Sequence, residues 1–240
     1  RGNHDSDTQL WALNAVTGAA IWNSPHAAQW ENYEAPAVTD EGIWVNGGAY
    51  GGRYGFTPSG SQMFFRSMTQ VDGWTPSISA GRLFTWVAGT FQEHNPTDGN
   101  SLWSLAVNNL TYSNTGVTAI SGDSALVITS TDLVCIDLPS RSVRWRKSAL
   151  FNGTPAIAGD HAFAIKGKTV ESYALADGTP GSVVTVPEFI TSGQPLLVMD
   201  HLFVSGANNT YVVRRSDSAV VQTLTGGGLL SYSGGMLVVA

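Results

Sequence analysis

The chain has 240 residues, of which 42 % are hydrophobic and only 12 % are charged, so it can build a core and is not a disordered chain. Gly occurs 27 times and Trp 8 times, a composition that favours many short strands and tight turns over long solvated helices. The net charge of −6, the single Cys135 and the short apolar runs argue against a nucleic-acid surface, an internal disulfide and membrane insertion.

One kind of strand pair opens the chain, as LWALNAVTGAAIW at 10–22, with two short apolar segments on either side of turn residues. A similar pair is LVCIDLPSRSVRW at 133–145, and weaker copies begin at Leu102, Tyr173 and Tyr211. Gly, Asn, Asp, Pro or Ser lies between the two segments of each copy, as antiparallel hairpins require.

A second kind of pair begins with small or β-branched residues, often after Pro, and turns at Gly or Asp into a second strand, often with larger side chains. Its copies are APAVTDEGIWV from Ala35, TPSISAGRLFTWV from Thr75, VTAISGDSALVIT from Val117, TPAIAGDHAFAI from Thr154, QPLLVMDHLFVS from Gln194 and GLLSYSGGMLVV from Gly228. Successive copies lie 40, 42, 37, 40 and 34 residues apart, counted from Pro36, Pro76, Thr118, Pro155, Pro195 and Leu229. Such a period predicts a repeat architecture.

The two kinds of pair alternate, which predicts four-stranded antiparallel units of the kind that form propeller blades. The opening pair and the final pair would together complete one more unit. We therefore predict an all-β fold, a six-bladed β-propeller whose ring is closed by a composite blade from the N- and C-terminal strands. A single domain over 1–240 would hold the composite blade at 228–240 plus 1–22 and further blades near 35–66, 75–113, 117–147, 154–186 and 194–224.

The string GNHD at 2–5 also occurs in metal-dependent phosphoesterases. The other metal-binding motifs of those enzymes are missing from this sequence, and its 5 histidines are scattered. The string is therefore interpreted as a loop of the composite blade.

Residues 10–22 resemble the tryptophan-docking repeat of the pyrroloquinoline-quinone (PQQ) type propellers, whose spacing is Ala-x-Asp-x-x-x-Gly-x-x-x-Trp. Ala12, Gly18 and Trp22 match this spacing, and Asn14 stands in place of the Asp. In this family the docking Trp packs between neighbouring blades. The resemblance therefore implies a structural role for this tryptophan.

The other copies of the repeat are less complete. In the second strong copy Asp137 and Trp145 are kept, whereas Cys135 and Arg141 replace the Ala and the Gly. The copy that begins YALADG places Val184 where the Trp is expected. The resemblance implies the same structural role for the tryptophan of the second copy.

The resemblance to PQQ-type propellers also bears on activity. Quinoprotein dehydrogenases of this family resemble much longer, eight-bladed rings with adjacent cysteines and a bound calcium, features that are not found here. The resemblance therefore implies a non-catalytic member without a cofactor, although function is decided by a site and not by a fold. The acidic loop residues lack the spacing of a calcium-binding loop, so no metal is expected either.

Long loops are concentrated in the first part of the repeat array, at 1–7, 23–34, 46–54, 67–74 and 89–101. In a propeller these connections would share one face, and loops longer than closure needs are often functional. We predict a ligand- or partner-binding surface there, formed by Trp30, Tyr33, Tyr50, Tyr54, Trp74, Phe91 and His94. The alternative is that these side chains fold back and pack as a small core.

The leading hypothesis is a non-catalytic recognition or scaffold module, or an extracytoplasmic sensor domain, in the periplasm, at the cell surface or secreted. Its partner would be a protein, a carbohydrate or a small molecule, and the chain would be a monomer or a domain of a larger protein. A first alternative is a small quinone- or sugar-processing enzyme, with Glu93, His94 and Glu34 as the candidate general bases. A second alternative is a structural spacer domain of a longer polypeptide.

Overall fold

The computed structural model describes residues 8–28, 35–108 and 115–240. These residues form 24 β-strands in five four-stranded and two two-stranded antiparallel sheets, and none of the described residues lies in a helix that could cross a membrane. The predicted all-β fold of four-stranded antiparallel units is confirmed. The chain divides into two compact units, residues 1–117 and 118–240.

The first compact unit contains one two-stranded and two four-stranded sheets, each with its strands in chain order. The two-stranded sheet consists of β1 (Thr8–Leu13) and β2 (Ala20–His26). The next sheet consists of β3 (Ala37–Thr39), β4 (Gly42–Asn46), β5 (Gly52–Phe56) and β6 (Gln62–Ser67). The third sheet consists of β7 (Ser77–Ser79), β8 (Arg82–Val87), β9 (Thr90–His94) and β10 (Ser101–Ala106).

The second compact unit contains three four-stranded sheets and a final hairpin. The first sheet consists of β11 (Ala119–Ser121), β12 (Ser124–Ile128), β13 (Asp132–Asp137) and β14 (Ser142–Ser148). The second consists of β15 (Asn152–Ala158), β16 (His161–Lys166), β17 (Thr169–Ala174) and β18 (Pro180–Thr185). The third consists of β19 (Leu196–Val198), β20 (His201–Ser205), β21 (Asn209–Arg214) and β22 (Val220–Thr225), and the hairpin of β23 (Leu230–Ser233) and β24 (Met236–Val239).

The composite blade is not seen as one hydrogen-bonded sheet in the part of the chain that the structure describes. β1 and β2 form one two-stranded sheet, and β23 and β24 form another. Seven sheets are therefore present instead of six, and the predicted count of six blades with a closed ring is not confirmed.

Within each four-stranded sheet the burial of a strand follows its position. The middle strands are buried on both faces: β12 and β13 read SALVI and DLVCID, with four consecutive buried residues each. The fourth strand β14 is mostly half-buried or exposed, and its sequence SVRWRKS alternates polar and apolar residues. A continuous apolar run suits a strand covered on both faces, and alternation suits a strand at a sheet edge.

The loop predicted at 89–101 is wrong, and the loop predicted at 46–54 is too long. Ala88 and Gly89 both have positive φ, at 49° and 80°, and form a two-residue turn from β8 directly into β9. Such turns match the twist of the paired strands but are not recognised from an Ala-Gly sequence, because they usually carry Asn-Gly or Asp-Gly. Residues 90–94 of the predicted loop therefore form β9, residues 95–100 form the turn that follows it, and Tyr54 likewise lies within β5.

Aromatic side chains on the last strand of a sheet contact the neighbouring sheet. Trp22 of β2 donates its Nε1–H to the carbonyl oxygen of Pro58 at 3.1 Å and lies against Gly60, where an added Cβ would be 2.7 Å from the ring. Phe64 of β6 lies against Gly99 in the same way. We call this arrangement a docking slot, defined by the aromatic residue on the last strand of one sheet and the glycine in the last turn of the next.

The second compact unit has the same arrangement. Trp145 of β14 donates its Nε1–H to the carbonyl oxygen of Leu175 at 2.9 Å and lies against Gly178, where an added Cβ would be 2.9 Å from the ring. The structural role predicted for the two docking tryptophans is confirmed by these contacts.

Replacing Gly99 by alanine is expected to lower the free energy of unfolding by about 2–4 kcal/mol. Its φ of +72° is in the left-handed region, and a methyl group there would overlap the Phe64 ring. Gly18→Ala is the matched control, because Gly18 has a φ of +69° with no atom within 4 Å of the added Cβ. Urea unfolding should show a loss of only about 1 kcal/mol in the control. Equal losses in both variants would contradict the docking slot.

Candidate functional site

The loop between β4 and β5, residues 47–51, is held by backbone hydrogen bonds. Gly47 N donates to Gly52 O at 3.0 Å, and Gly48 N donates to Ala27 O at 2.6 Å. Gly51 approaches the neighbouring loop so closely that an added Cβ would lie 2.6 Å from the Cα of Gln70. Its φ of +84° also favours glycine. The backbone hydrogen bonds and the close contact with Gln70 together restrict the conformation of the loop.

The facing loop between β6 and β7, residues 68–76, is anchored by Trp74. This side chain is 1 % exposed and donates its Nε1–H to Val71 O at 3.0 Å, within the loop itself. Asn46, at the end of β4, donates its Nδ2–H to Trp74 O at 2.7 Å and so connects the two loops. A shallow recess lies between them, lined by the glycines of the first loop and by Gln70, Val71 and Asp72.

Tyr50 lies in the first loop and is 78 % exposed. Asp72 of the second loop is also exposed. Because the backbone around Tyr50 is already ordered, little conformational entropy would be lost when its ring contacts a partner. We refer to residues 46–52 and 68–74 together as the loop surface. It is the candidate functional site.

Trp74 belongs to the loop surface as its buried anchor, and none of the other described site residues is exposed beside Tyr50. Tyr54, Trp74, Phe91 and His94 are only 8 %, 1 %, 0 % and 3 % exposed. Trp30 and Tyr33 lie outside the described residues.

Two of the buried rings, Tyr54 and Phe91, pack against other aromatic side chains. Tyr54 packs against Phe65 with a ring-centroid distance of 4.6 Å and accepts a hydrogen bond from Ala27 N at 3.2 Å. Phe91 lies 5.6 Å from the ring centroids of both Phe84 and Trp103. For these side chains the structure matches the alternative in which loop aromatics pack as a core.

Glu93, a candidate general base, is 7 % exposed and engaged by cationic and aromatic donors. Its Oε1 and Oε2 accept hydrogen bonds from Nε and Nη2 of Arg82 at 2.9 and 2.7 Å. Oε2 also accepts the Nε1–H of Trp103 at 2.5 Å. A carboxylate held in this way is stabilised as an anion and does not face solvent, so it connects β8, β9 and β10 instead of presenting a base.

His94, the second candidate base, lies in the interior beside Thr85 and Arg53. Its Nε2 is 2.9 Å from Oγ1 of Thr85, and its Nδ1 has no hydrogen-bond partner. Burial, together with the positive charge of Arg53, lowers the pKa of His94 to about 3. The imidazole is therefore neutral at physiological pH. Glu34, the third candidate, lies outside the described residues.

Arg53 is a buried arginine that the sequence does not predict as a site residue. It is 1 % exposed, and its Nη2 donates to Gly99 O at 2.7 Å, whereas its Nη1 reaches only the Met68 thioether at 3.4 Å. Burial and the nearby charge of Arg66 lower its pKa to about 10. Among the described residues Arg53 forms no ion pair, and no group of three His, Cys, Asp or Glu side chains is placed to hold a metal.

The sequence and the fold are similar to those of known proteins. A family model described as outer membrane protein assembly factor BamB matches residues 4–224. The crystal structure of BamB from Moraxella catarrhalis is similar with a TM-score of 0.74 at 15 % identity, over 93 % of this chain and 72 % of that chain. The crystal structure of the computationally designed Ika8 protein has a TM-score of 0.72 at 11 % identity, over 92 % of this chain and 71 % of that chain. No curated protein sequence matches this chain.

Proposed function

This chain belongs to the family of the outer membrane protein assembly factor BamB, a PQQ-type β-propeller repeat family, and from this premise we propose that it is a non-catalytic scaffold module that binds a protein partner. The family description names the assembly of outer membrane proteins, which supports a protein partner and a location outside the cytoplasm. The proposed contact region is the loop surface.

The observation that carries this proposal is the exposure of Tyr50 on an ordered loop. Tyrosine is enriched among the residues that contribute most to protein–protein binding, because its ring buries a large area and its hydroxyl stays hydrogen-bonded. Tyr50 is 78 % exposed, while its own loop is connected to the facing loop by the hydrogen bond from Asn46 to Trp74. A partner would therefore meet an aromatic anchor on a rigid platform.

The burial of Glu93 and His94 supports the non-catalytic part of the proposal. A general base must reach the proton that it abstracts, and both of these groups are less than 10 % exposed. A small enzyme on this surface would have to use other residues. Purified protein incubated with pyrroloquinoline quinone, calcium and an alcohol or sugar as the electron donor is expected not to reduce a redox dye, and reduction that depends on the donor would refute this part of the proposal.

Replacing Tyr50 by alanine is expected to weaken partner binding about thirtyfold while changing the free energy of unfolding by less than about 0.5 kcal/mol. The partner is first captured in native cells with a photo-crosslinking amino acid at position 50 and identified by mass spectrometry. Its affinity is then measured for the wild-type chain and for Tyr50→Ala.

The matched control places the crosslinker at Met199, which is 89 % exposed and lies outside the loop surface. The proposal requires an adduct that forms from position 50 and not from position 199. The same adducts from both positions, or an unchanged affinity of Tyr50→Ala, would refute it.

A further inference from the structure

The docking slot between the sheets β15–β18 and β19–β22 lacks its aromatic side chain. In the docking slot between the sheets β11–β14 and β15–β18, Trp145 lies four residues after Arg141, the positive-φ residue of its hairpin turn. Counting in the same way from Gly178, whose φ is +74°, leads to Ser182 and not to Val184. The prediction of Val184 at the Trp position is therefore wrong by two residues, because the turn sets the register and this copy of the repeat has no Trp that would reveal it.

The glycine of this slot is missing as well. Gly60, Gly99 and Gly178 occupy the turn of the three filled slots, where an added Cβ would press on the docked ring. Ser218 holds the corresponding turn position between β21 and β22, with a φ of +58°. A side chain is tolerated at this turn because no aromatic ring packs against it. Ser182 in place of Trp and Ser218 in place of Gly are therefore sterically compatible with each other.

An open pocket lies between these two sheets, with a cavity volume of about 250 Å³. Its apolar walls are Phe163, Val184 and Leu202. The hydroxyls of Ser172 and Ser182, 3.1 Å apart, line the side where an indole lies in the preceding slot. A concave space with apolar walls and a few polar groups is typical of small-molecule sites.

Arg215 adds a positive charge to the pocket. It stands where Leu175 stands in the preceding sheet: the backbone N–H of each donates to the carbonyl oxygen of an Asp, Asp200 or Asp160, at 2.8 Å. Its guanidinium carbon lies 5.3 Å from the centroid of the Phe163 ring.

The hydrogen bonds of Arg215 leave part of its donor capacity unused. Nη1 donates to Met199 O at 2.9 Å, but the buried Nε–H has no acceptor. Within the described residues no carboxylate forms an ion pair with Arg215, although the adjacent Asp200 accepts a hydrogen bond from Ser216 at 3.3 Å. Because Nε is itself buried, a ligand would meet the other nitrogens of the guanidinium, whose positive charge next to a vacant aromatic site favours an anionic substituent on whatever ring enters.

We propose that this pocket binds a small planar aromatic acid. The ring would occupy the space that the Trp145 side chain fills one sheet earlier, in contact with Phe163 and Leu202, and its carboxylate would accept hydrogen bonds from Arg215. The site lies in the second compact unit, whereas the loop surface lies in the first, so it goes beyond the proposed function and stands independently of it.

The first test uses indole-3-acetate as the probe, with indole and acetate as separate arms, titrated into the full chain by calorimetry and ligand-observed NMR. Indole-3-acetate is expected to bind about tenfold more tightly than indole, because the charged hydrogen bond is added to ring burial, and acetate is expected to show no binding. No binding of indole-3-acetate, or equal binding of acetate, would overturn the proposal.

The second test fills the pocket from the protein side. The double substitution Ser182→Trp with Ser218→Gly rebuilds the arrangement of Trp145 and Gly178 and is expected to abolish indole-3-acetate binding while raising the Tm. Gln222→Trp is the matched control: it adds an indole at the equivalent position of the next sheet and should leave binding unchanged. Unchanged binding in the double variant would overturn the proposal.

Arg215→Leu supplies a readout that does not depend on the folding of the double variant. This substitution places the residue of the preceding sheet at the position and removes the charge without removing the apolar walls. Indole-3-acetate affinity is expected to fall about tenfold, to that of indole, whereas indole affinity stays constant. An equal loss for both ligands, or no loss for either, would show that Arg215 does not bind the carboxylate.

Discussion

Replacing Trp145 by alanine is expected to lower the free energy of unfolding by about 3–5 kcal/mol. The side chain is 8 % exposed, lies against Gly178 and packs on Tyr173 with a ring-centroid distance of 6.2 Å. Alanine would leave a cavity between the sheets β11–β14 and β15–β18 and would remove the hydrogen bond to Leu175. A rigid turn cannot close such a cavity, because its backbone is held by its own hydrogen bonds.

The loss is measured by urea unfolding, with Leu150→Ala as the control. Leu150 is five residues away in the chain but 73 % exposed, so its truncation should cost less than about 0.5 kcal/mol. Trp145→Phe should fall between the two, because it keeps part of the packing and loses the N–H donor. If Trp145→Ala were no less stable than Leu150→Ala, the docking account of this repeat would be wrong.

Acidification from pH 6.5 to pH 5 is expected to reduce the free energy of unfolding by about 2 kcal/mol through His94 alone. The folded chain holds this imidazole neutral, with a pKa lowered to about 3 by burial and by Arg53, whereas the unfolded chain takes up a proton near pH 6.5. The stabilisation is thus complete above pH 6.5 and is lost as the pH falls toward 3. Burial also lowers the pKa of His26, which adds to the loss in the same direction.

The variant His94→Gln tests this dependence, because its amide can still bond to Thr85 but cannot titrate. Unfolding free energies measured at pH 5, 6 and 7.5 should fall less steeply for this variant than for the wild-type chain. Gln92→Asn, at a half-buried position of β9, removes no titrating group, serves as the control and should keep the wild-type slope. The pH range avoids the carboxylates: Asp137, for example, has its pKa lowered to about 2 by hydrogen bonds from Ser140. Identical slopes for His94→Gln and the wild-type chain would contradict a neutral buried His94.

The strand pairs could be predicted from the sequence because their signals are local. The turn after β1 is an example: Asn14 Oδ1 accepts hydrogen bonds from the backbone N–H groups of Val16 and Thr17 at 2.9 Å, and Gly18 follows with a positive φ. All of this lies within five consecutive residues, so the spacing of the repeat predicts the hairpin directly. The contact of Trp22 with the next sheet could be predicted only through the family resemblance.

The candidate site could be predicted only in part. Tyr50 was recognised from a glycine-rich loop, and the structure does expose it. The sequence predicts a loop at Phe91 and His94 because Ala88 and Gly89 do not look like a hairpin turn, whereas the structure places both residues on β9 and buries them. Arg53 carried no signal at all, since its only unusual property is the environment in which the chain places it.

By itself the sequence determined the class of fold, the positions of those hairpins whose turns carry recognisable turn residues, and the membership of the repeat family, because periodicity, turn chemistry and Trp spacing act between residues close together in the chain. Only the tertiary structure decided which aromatic rings are exposed and which docking slot is empty. Burial depends on residues from other sheets, and the register at Ser182 is set by the backbone conformation of Gly178. The physical reason is that a side chain is covered or left free by neighbours in space, and in this chain those neighbours lie about 35–40 residues away, one repeat along.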